Sequence, residues 1–247
     1  MKKFTLHSYY AVLLLFFISL MFYGIDYLVF GHAPEIAAGF LGNIAFLPIY
    51  VLFVTLVIER VIKERERLAI RQKLNMVIGL FFGEVGSELL SRLTGFLTDP
   101  LELTQRLKVT VYWSDRNFRE AADFLSQSGK QVDSRTGDLA NLRDFLVGKK
   151  DFLLGILENP NLLEHDAFTE LLWAVSHLLQ ELEARKSLTG LPDTDLNHLS
   201  GDIQRAYSNL LREWLIYMQH LKADYPYLYS LAVRMNPMDP DARPEVT

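Results

Sequence analysis

The chain has 247 residues, 50% of them hydrophobic and 22% charged, with a net charge of −5. It contains no cysteine, which excludes disulfides, thiolate zinc or iron–sulfur sites and a cysteine nucleophile, because each needs the sulfur itself. Its acidity also argues against nucleic acid as a partner, since that binding depends on extended positive surface to displace counterions.

A near-zero mean hydropathy hides two unlike parts. Of the 25 basic and 30 acidic side chains, only Lys2, Lys3, Asp26 and Glu35 fall within residues 1–58. Residues 9–30 carry Asp26 as their only charge, and residues 39–58 carry none. At about 1.5 Å per residue, a helix of either length covers the roughly 30 Å hydrocarbon core of a bilayer. Two spans are expected. A cleaved signal peptide would have an apolar stretch of only about 7–15 residues. Here the first stretch is longer, the small-residue site Gly31-His32-Ala33 runs into Pro34, and a second span follows almost at once.

Basic residues flanking spans stay on the cytoplasmic side. Lys2 and Lys3 precede the first span, Arg60, Lys63, Arg65, Arg67, Arg71 and Lys73 follow the second, and residues 31–38 between them have none. The expectation is a multi-pass protein of the cytoplasmic (inner) membrane with both termini cytoplasmic. Tyr9 and Tyr10 would then lie at one interface and Tyr23 and Tyr27 at the other. Asp26 and Asn43 fall at similar depth in antiparallel helices, so this intramembrane polar pair is read as a tie in which Asn43 donates to Asp26, or as an Asp26 that reaches interfacial water, in preference to an ion or proton site. Ala38-xxx-Gly42 offers a small face for close helix approach, and Pro48 removes a backbone donor and predicts a kink.

Residues 59–73 carry net +3, and the remainder to 247 carries net −8. Arg60, Lys63, Arg65, Arg67 and Arg71 are therefore candidates for contact with anionic lipid headgroups, at about 1 kcal/mol each. Leu74, Ile78, Phe81, Val85, Leu89, Leu93 and Phe96 recur at spacings of three and four, one face of a buried helix over 74–97. Gly79, Gly83 and Gly86 on that helix predict close helix packing, because each glycine costs a helix about 1 kcal/mol relative to alanine.

Beyond Thr98-Asp99-Pro100 the punctuation predicts further helices. One is capped by Ser114 or Asp115 and runs to about Ser126. Residues 108–113 form a linker or helix, and 127–137 a loop. A helix capped by Asp138 runs on to Glu158. Asn161 and Glu164 form a capping-box-like start for a helix lined by Phe168, Leu171, Leu172, Val175, Leu178, Leu179 and Leu182. Another helix runs from Asp195 or Ser200 to Leu221, a shorter one covers 227–235, and a loose tail follows. Trp173 and Tyr207 are read as core aromatics.

Chemistry is sparse. His177 and Glu181, His198 and Asp202, and His220 and Asp224 are each four apart, and His165 lies between Glu164 and Asp166. Carboxylate-bridged bundles use Glu-x-x-His on two helices, and zinc helices use HExxH; neither motif occurs. Histidine with a carboxylate four residues away arises readily on solvated helices, so no metal and no cofactor is expected. Ser176-His177 lacks the acidic, basic and proline residues that follow a phospho-accepting histidine. Nucleophile elbows and phosphate loops are missing as well, so no catalytic residue is assigned.

Glu158-Asn159-Pro160-Asn161-Leu162-Leu163-Glu164-His165, Leu171-Leu172-Trp173-Ala174-Val175 and Tyr225-Pro226-Tyr227-Leu228 resemble stretches of an uncharacterised prokaryotic two-span membrane protein family with no assigned activity. The resemblance extends from the spans to Pro237 and implies no functional residue. The fold expected is all-α: a transmembrane hairpin over 1–58, a juxtamembrane connector over 59–97, a cytoplasmic helical domain over 98–237 and a tail over 238–247. The function expected is a membrane-anchored helical interaction or scaffold protein, whose partners are the lipid bilayer and either another protein or further copies of itself. The alternatives are a small oligomeric channel or transporter accessory subunit, and a metal-binding helical bundle.

Overall fold

A computed structural model describes residues 6–31, 33–127, 131–160, 162 and 165–246; the side chains of 6–15, 30, 33, 37, 45 and 67–72 lie outside that description. Lys2 and Lys3, the Tyr9 and Tyr10 rings, the Arg67 and Arg71 side chains, and Asn161 with Glu164 therefore fall outside the described residues. The chain divides into two compact units, Met1–Arg67 and Leu68–Thr247.

In the first unit, α1 (Leu6–Phe30) turns at Gly31 into α2 (Ala33–Phe81). Gly31 sits at φ +66°, a left-handed conformation that glycine adopts without steric cost, and its N–H donates to Tyr27 O at 3.0 Å. Pro48 lies inside α2, which continues through it. Asn43 Nδ2 donates to the Tyr23 hydroxyl at 3.3 Å, and the Tyr23 and Phe40 rings meet edge to face at 5.7 Å. The expected tie to Asp26 is thus replaced. Tyr23 lies three residues earlier, and its longer side chain brings a hydroxyl within reach of the amide.

In the second unit, the end of α2 leads into a π turn, Phe82–Gly86, and then α3 (Ser87–Thr94). The single helix expected over 74–97 is interrupted there. The Ser87 N–H and hydroxyl both bond to Phe82 O, the hydroxyl at 2.9 Å, which closes the wider turn. Of the three glycines expected to permit close helix packing, only Gly86 is under steric pressure. A Cβ there would lie 2.6 Å from the Phe82 ring and 2.8 Å from that of Phe81, whereas Gly83 faces open space and Gly79 has ordinary contact with Tyr217 at 3.8 Å. The tight contact is with aromatic rings one turn back, not with another helix.

The remaining helices are α4 (Leu101–Arg106), α5 (Asp115–Gln127), α6 (Leu139–Gly148), α7 (Lys150–Leu157), α8 (Asp166–Ala184), α9 (Asp193–Asp224) and α10 (Pro226–Arg234). The short α4 was not foreseen; Asp99 Oδ1 accepts from Leu101 N at 3.2 Å at its start. Caps elsewhere follow from residue chemistry. The Ser114 amide donates to Asn117 Oδ1 at 2.8 Å, and the Asn117 amide donates back to Ser114 Oγ at 3.4 Å. Asp138 accepts from Asn141 N at 2.9 Å, and His165 Nδ1 accepts from Phe168 N at 3.1 Å to start α8. The helix expected from 139 to 158 breaks at Lys149, whose φ and ψ of −106° and 5° are not helical. Among the described residues there is no strand, only one antiparallel bridge between Leu97 and Val132. The all-α class holds.

The core is built on α8 and α9. Phe168, Leu171, Leu172, Val175, Leu178 and Leu182 from α8 meet Leu199, Ile203, Tyr207, Leu210 and Trp214 from α9, all buried, together with Phe81, Leu89 and Leu93. Of the connector expected over 59–97, residues 68–97 are therefore part of this domain. The expected loose tail is docked over its first residues. Met238 is 2% exposed, Asn236 Nδ2 donates to Leu107 O at 3.1 Å, and Lys108 pairs with Asp239 at 2.9 Å. Tyr207 is in the core as expected, but Trp173 is 62% exposed: it projects from the α8 face opposite the buried stripe.

Candidate functional site

Two regions stand out, one in each unit. In the first, apolar side chains point outward with no protein against them. Among residues 16–29 of α1 only Tyr23 and Asp26 are half-buried, and among the described side chains of 34–66 only Ile36 and Val54 are. Residues Pro34–Glu66 are long and apolar enough to cross a membrane. Lys73–Thr94 also meets the length criterion, but its apolar face packs into the helical core. On the basic flank, Lys63 pairs with Glu59 at 2.6 Å and Arg60 with Glu64 at 4.0 Å, all four exposed; Arg65 is exposed as well.

The second region lies between α8 and α9. Residue partners run in opposite directions along the two helices: His177 with Asp202, Glu181 with His198, Arg185 with Asp195. This is an antiparallel hairpin. Spacing of four places His177 and Glu181 on one face of α8, and His198 and Asp202 on one face of α9. His177 Nε2 lies 3.9 Å from Glu181 Oε1 and 3.6 Å from Asp202 Oδ1. His198 Nε2 lies 3.6 Å from Glu181 Oε2 and 3.3 Å from Asp202 Oδ2. The two imidazoles thus bracket the two carboxylates.

Two arginines hold this group from outside. Arg185 Nη1 donates to Glu181 Oε2 at 2.8 Å, and its other nitrogens grip Asp195 at 2.6 and 2.9 Å. Arg205 Nη1 donates to Asp202 Oδ1 at 3.0 Å. Bonding to the Arg185 guanidinium holds the Glu181 and Asp195 carboxyls below their ordinary range, and the two carboxylates raise Arg185 in turn. The other histidine pairs stay apart from this group. His220 Nδ1 meets Asp224 at 2.8 Å within its own helix, and His165 serves as a cap.

Glu213 on α9 gave no functional signal in the sequence. It is 1% exposed and neither carboxylate oxygen has a hydrogen-bond partner. Burial pushes its carboxyl up, against the opposing pull of His165 and Arg212. Its position in the register of Ala206, Leu210 and Trp214 was the available clue. A cavity of about 450 Å³ is walled by Phe82, Trp214, Tyr217, Leu228 and Met235. Of its two acidic lining residues, Glu88 is paired with Arg92 and Asp239 with Lys108.

Helices throughout, divided into an apolar hairpin unit and a helical domain, define a two-unit all-α protein. One family model, described as "MJ1433, N-terminal helical domain", matches residues 2–62, and another, "Uncharacterized protein MJ1433, C-terminal helical domain", matches residues 70–234. The chain is 45% identical over 225 residues to the uncharacterized protein MJ1433 of Methanocaldococcus jannaschii, covering 91% of this chain and 90% of that one. It belongs to the MJ1433 family. The break between the two family domains brackets the division at Arg67 and Leu68. No solved structure matches.

Proposed function

We propose that the chain is a membrane-anchored protein whose first unit lies in the cytoplasmic membrane, both ends inside, and whose helical domain is an interaction or scaffold module at the membrane surface. The carrying observation is the outward-facing apolar surface of α1 and α2. Fully burying a Leu, Phe or Ile side chain is worth about 1.5–3 kcal/mol, and 18 such side chains between Phe16 and Ile62 are exposed. A bilayer supplies cover over the roughly 20 residues of each helix that its hydrocarbon core spans. The positive flank at 59–73 supports the inward orientation. Exposed Trp173 and Tyr112, at 62% and 90%, support a protein-binding role for the domain, since aromatic side chains are enriched in contact surfaces. The channel alternative has less support, because Asn43 spends a donor on Tyr23 inside its own hairpin.

Alkaline carbonate extraction of membranes from cells expressing the full chain tests the anchor. The protein is expected in the pellet, with a cysteine introduced at Glu35 labelled from outside and one at Glu245 protected. Recovery in the supernatant, or the reverse labelling, overturns the reading.

A further inference from the structure

We propose that His177, Glu181 and Asp202, with His198 as a further donor, form a site for one divalent first-row transition-metal ion between α8 and α9. This goes beyond the membrane reading and does not depend on it.

One ligand atom from each of His177, Glu181 and Asp202 can be chosen so that all lie within 4.8 Å of one another. Four nitrogen-to-oxygen approaches among His177, His198, Glu181 and Asp202 fall at 3.3, 3.6, 3.6 and 3.9 Å. A nitrogen-to-oxygen hydrogen bond has its optimum near 2.9 Å, and none of the four makes one. A four-coordinate ion with bonds of about 2.0–2.2 Å separates its ligand atoms by roughly 3.3–3.6 Å. Three of the four approaches match that separation and the His177–Glu181 one, at 3.9 Å, is longer; His177 faces Glu181 Oε1 and Asp202 Oδ1, and His198 faces Glu181 Oε2 and Asp202 Oδ2.

Asp202 gives the second, independent observation. It is 3% exposed, and its Oδ2 is buried with no hydrogen-bond partner, although His198 Nε2 is only 3.3 Å away. An unpartnered buried carboxylate oxygen is costly. A cation between that oxygen and the imidazole would remove the cost. Arg205 on Asp202 Oδ1 and Arg185 on Glu181 Oε2 then act as the outer hydrogen bonds that orient ligating carboxylates. Two imidazoles and two carboxylates suit zinc, iron(II), manganese or cobalt better than magnesium or calcium, which favour all-oxygen sets.

The test uses the full chain in mild detergent, freed of metal by chelator and titrated with Zn²⁺ by calorimetry and with Co²⁺ by visible absorption. One Zn²⁺ per chain is expected, with a ligand-field band for Co²⁺ and a rise in melting temperature on Zn²⁺ addition. His177→Gln and His198→Gln change rings that are about half exposed and should keep the helical circular dichroism. His177→Gln is expected to weaken Zn²⁺ binding at least tenfold and His198→Gln to alter the Co²⁺ band, while Asp202→Asn abolishes binding. No saturable Zn²⁺ binding by the wild type, or an affinity unchanged in His177→Gln, overturns the site. So does a melting temperature that Zn²⁺ leaves unchanged.

Discussion

Gly86 and Gly83 stand three residues apart in the same π turn but carry opposite expectations. Alanine at 86 must push the Phe81 and Phe82 rings, which are themselves buried and in contact at 5.3 Å. Overpacking of this kind costs about 1–3 kcal/mol. Alanine at 83 meets nothing within 4 Å and lowers the entropy of the unfolded chain, so it should be neutral or stabilise by up to about 1 kcal/mol. Urea melts of the two variants should move in opposite directions or differ by more than 1 kcal/mol. Glu213 makes a pH prediction. Burial raises its folded pKa above the unfolded value, so the native state holds the extra proton. The chain therefore loses stability as pH rises from the unfolded pKa, near 4.5, through the raised folded one. Glu213→Gln removes this slope, and its stability relative to wild type should grow from pH 4.5 to 8, by about 1–2 kcal/mol for an unpartnered buried carboxylate. A constant difference across that range would show that Glu213 does not titrate there.

Between α8 and α9 the Arg185 guanidinium reaches a carboxylate on each helix, and it is the side chain that ties the ends of the hairpin. Arg185→Met should cost about 1 kcal/mol, a modest value because the partners are partly solvated. The sign with pH is the reverse of that for Glu213. The Glu181 and Asp195 carboxyls are held below their usual range, so the contribution is present at neutral pH and is lost as pH falls through their depressed folded values. Acid melts of wild type and variant should converge. Trp173→Ala, on the exposed face of α8, should leave stability within about 0.5 kcal/mol; on the proposed interaction role it should also reduce recovery of any co-purifying protein. The helices themselves were largely legible, because the apolar stripe of Phe168, Leu171, Val175 and Leu178 repeats at the helical period and Asp138 announces a cap. The site was half legible. Each histidine could be paired with the carboxylate four residues on, but that pattern is equally common on solvated helices. Only the antiparallel register, set by core packing and the loop between α8 and α9, brings His177 opposite Asp202. The π turn was hidden because one extra residue per turn barely disturbs the spacing of threes and fours, and the docking of Met238 was hidden because the prolines around it read as a terminus.

At the scale of the molecule, the basic and then apolar segment that looked like a connector proved to supply core residues from Leu74 to Leu97. A fragment covering Leu68–Thr247 therefore contains every buried residue of the helical core. It should express without detergent as a helical protein with one cooperative urea transition. A fragment beginning at residue 98 should lose that transition, because it lacks Phe81, Phe82, Leu89, Leu90 and Leu93. Loss of cooperativity in the longer fragment would mean that the first unit is needed for folding. The contact between Thr94 and Tyr207, hydroxyls 3.1 Å apart across 113 residues of chain, bears on synthesis. At about 5–20 residues per second, α3 leaves the ribosome roughly 5–20 s before the segment of α9 that covers it. During that interval its leucines have only the π turn and, once it is made, α6 against them. The α8–α9 hairpin, closed by a short loop, needs no such wait, so the packing of α3 is completed only when the last long helix is made.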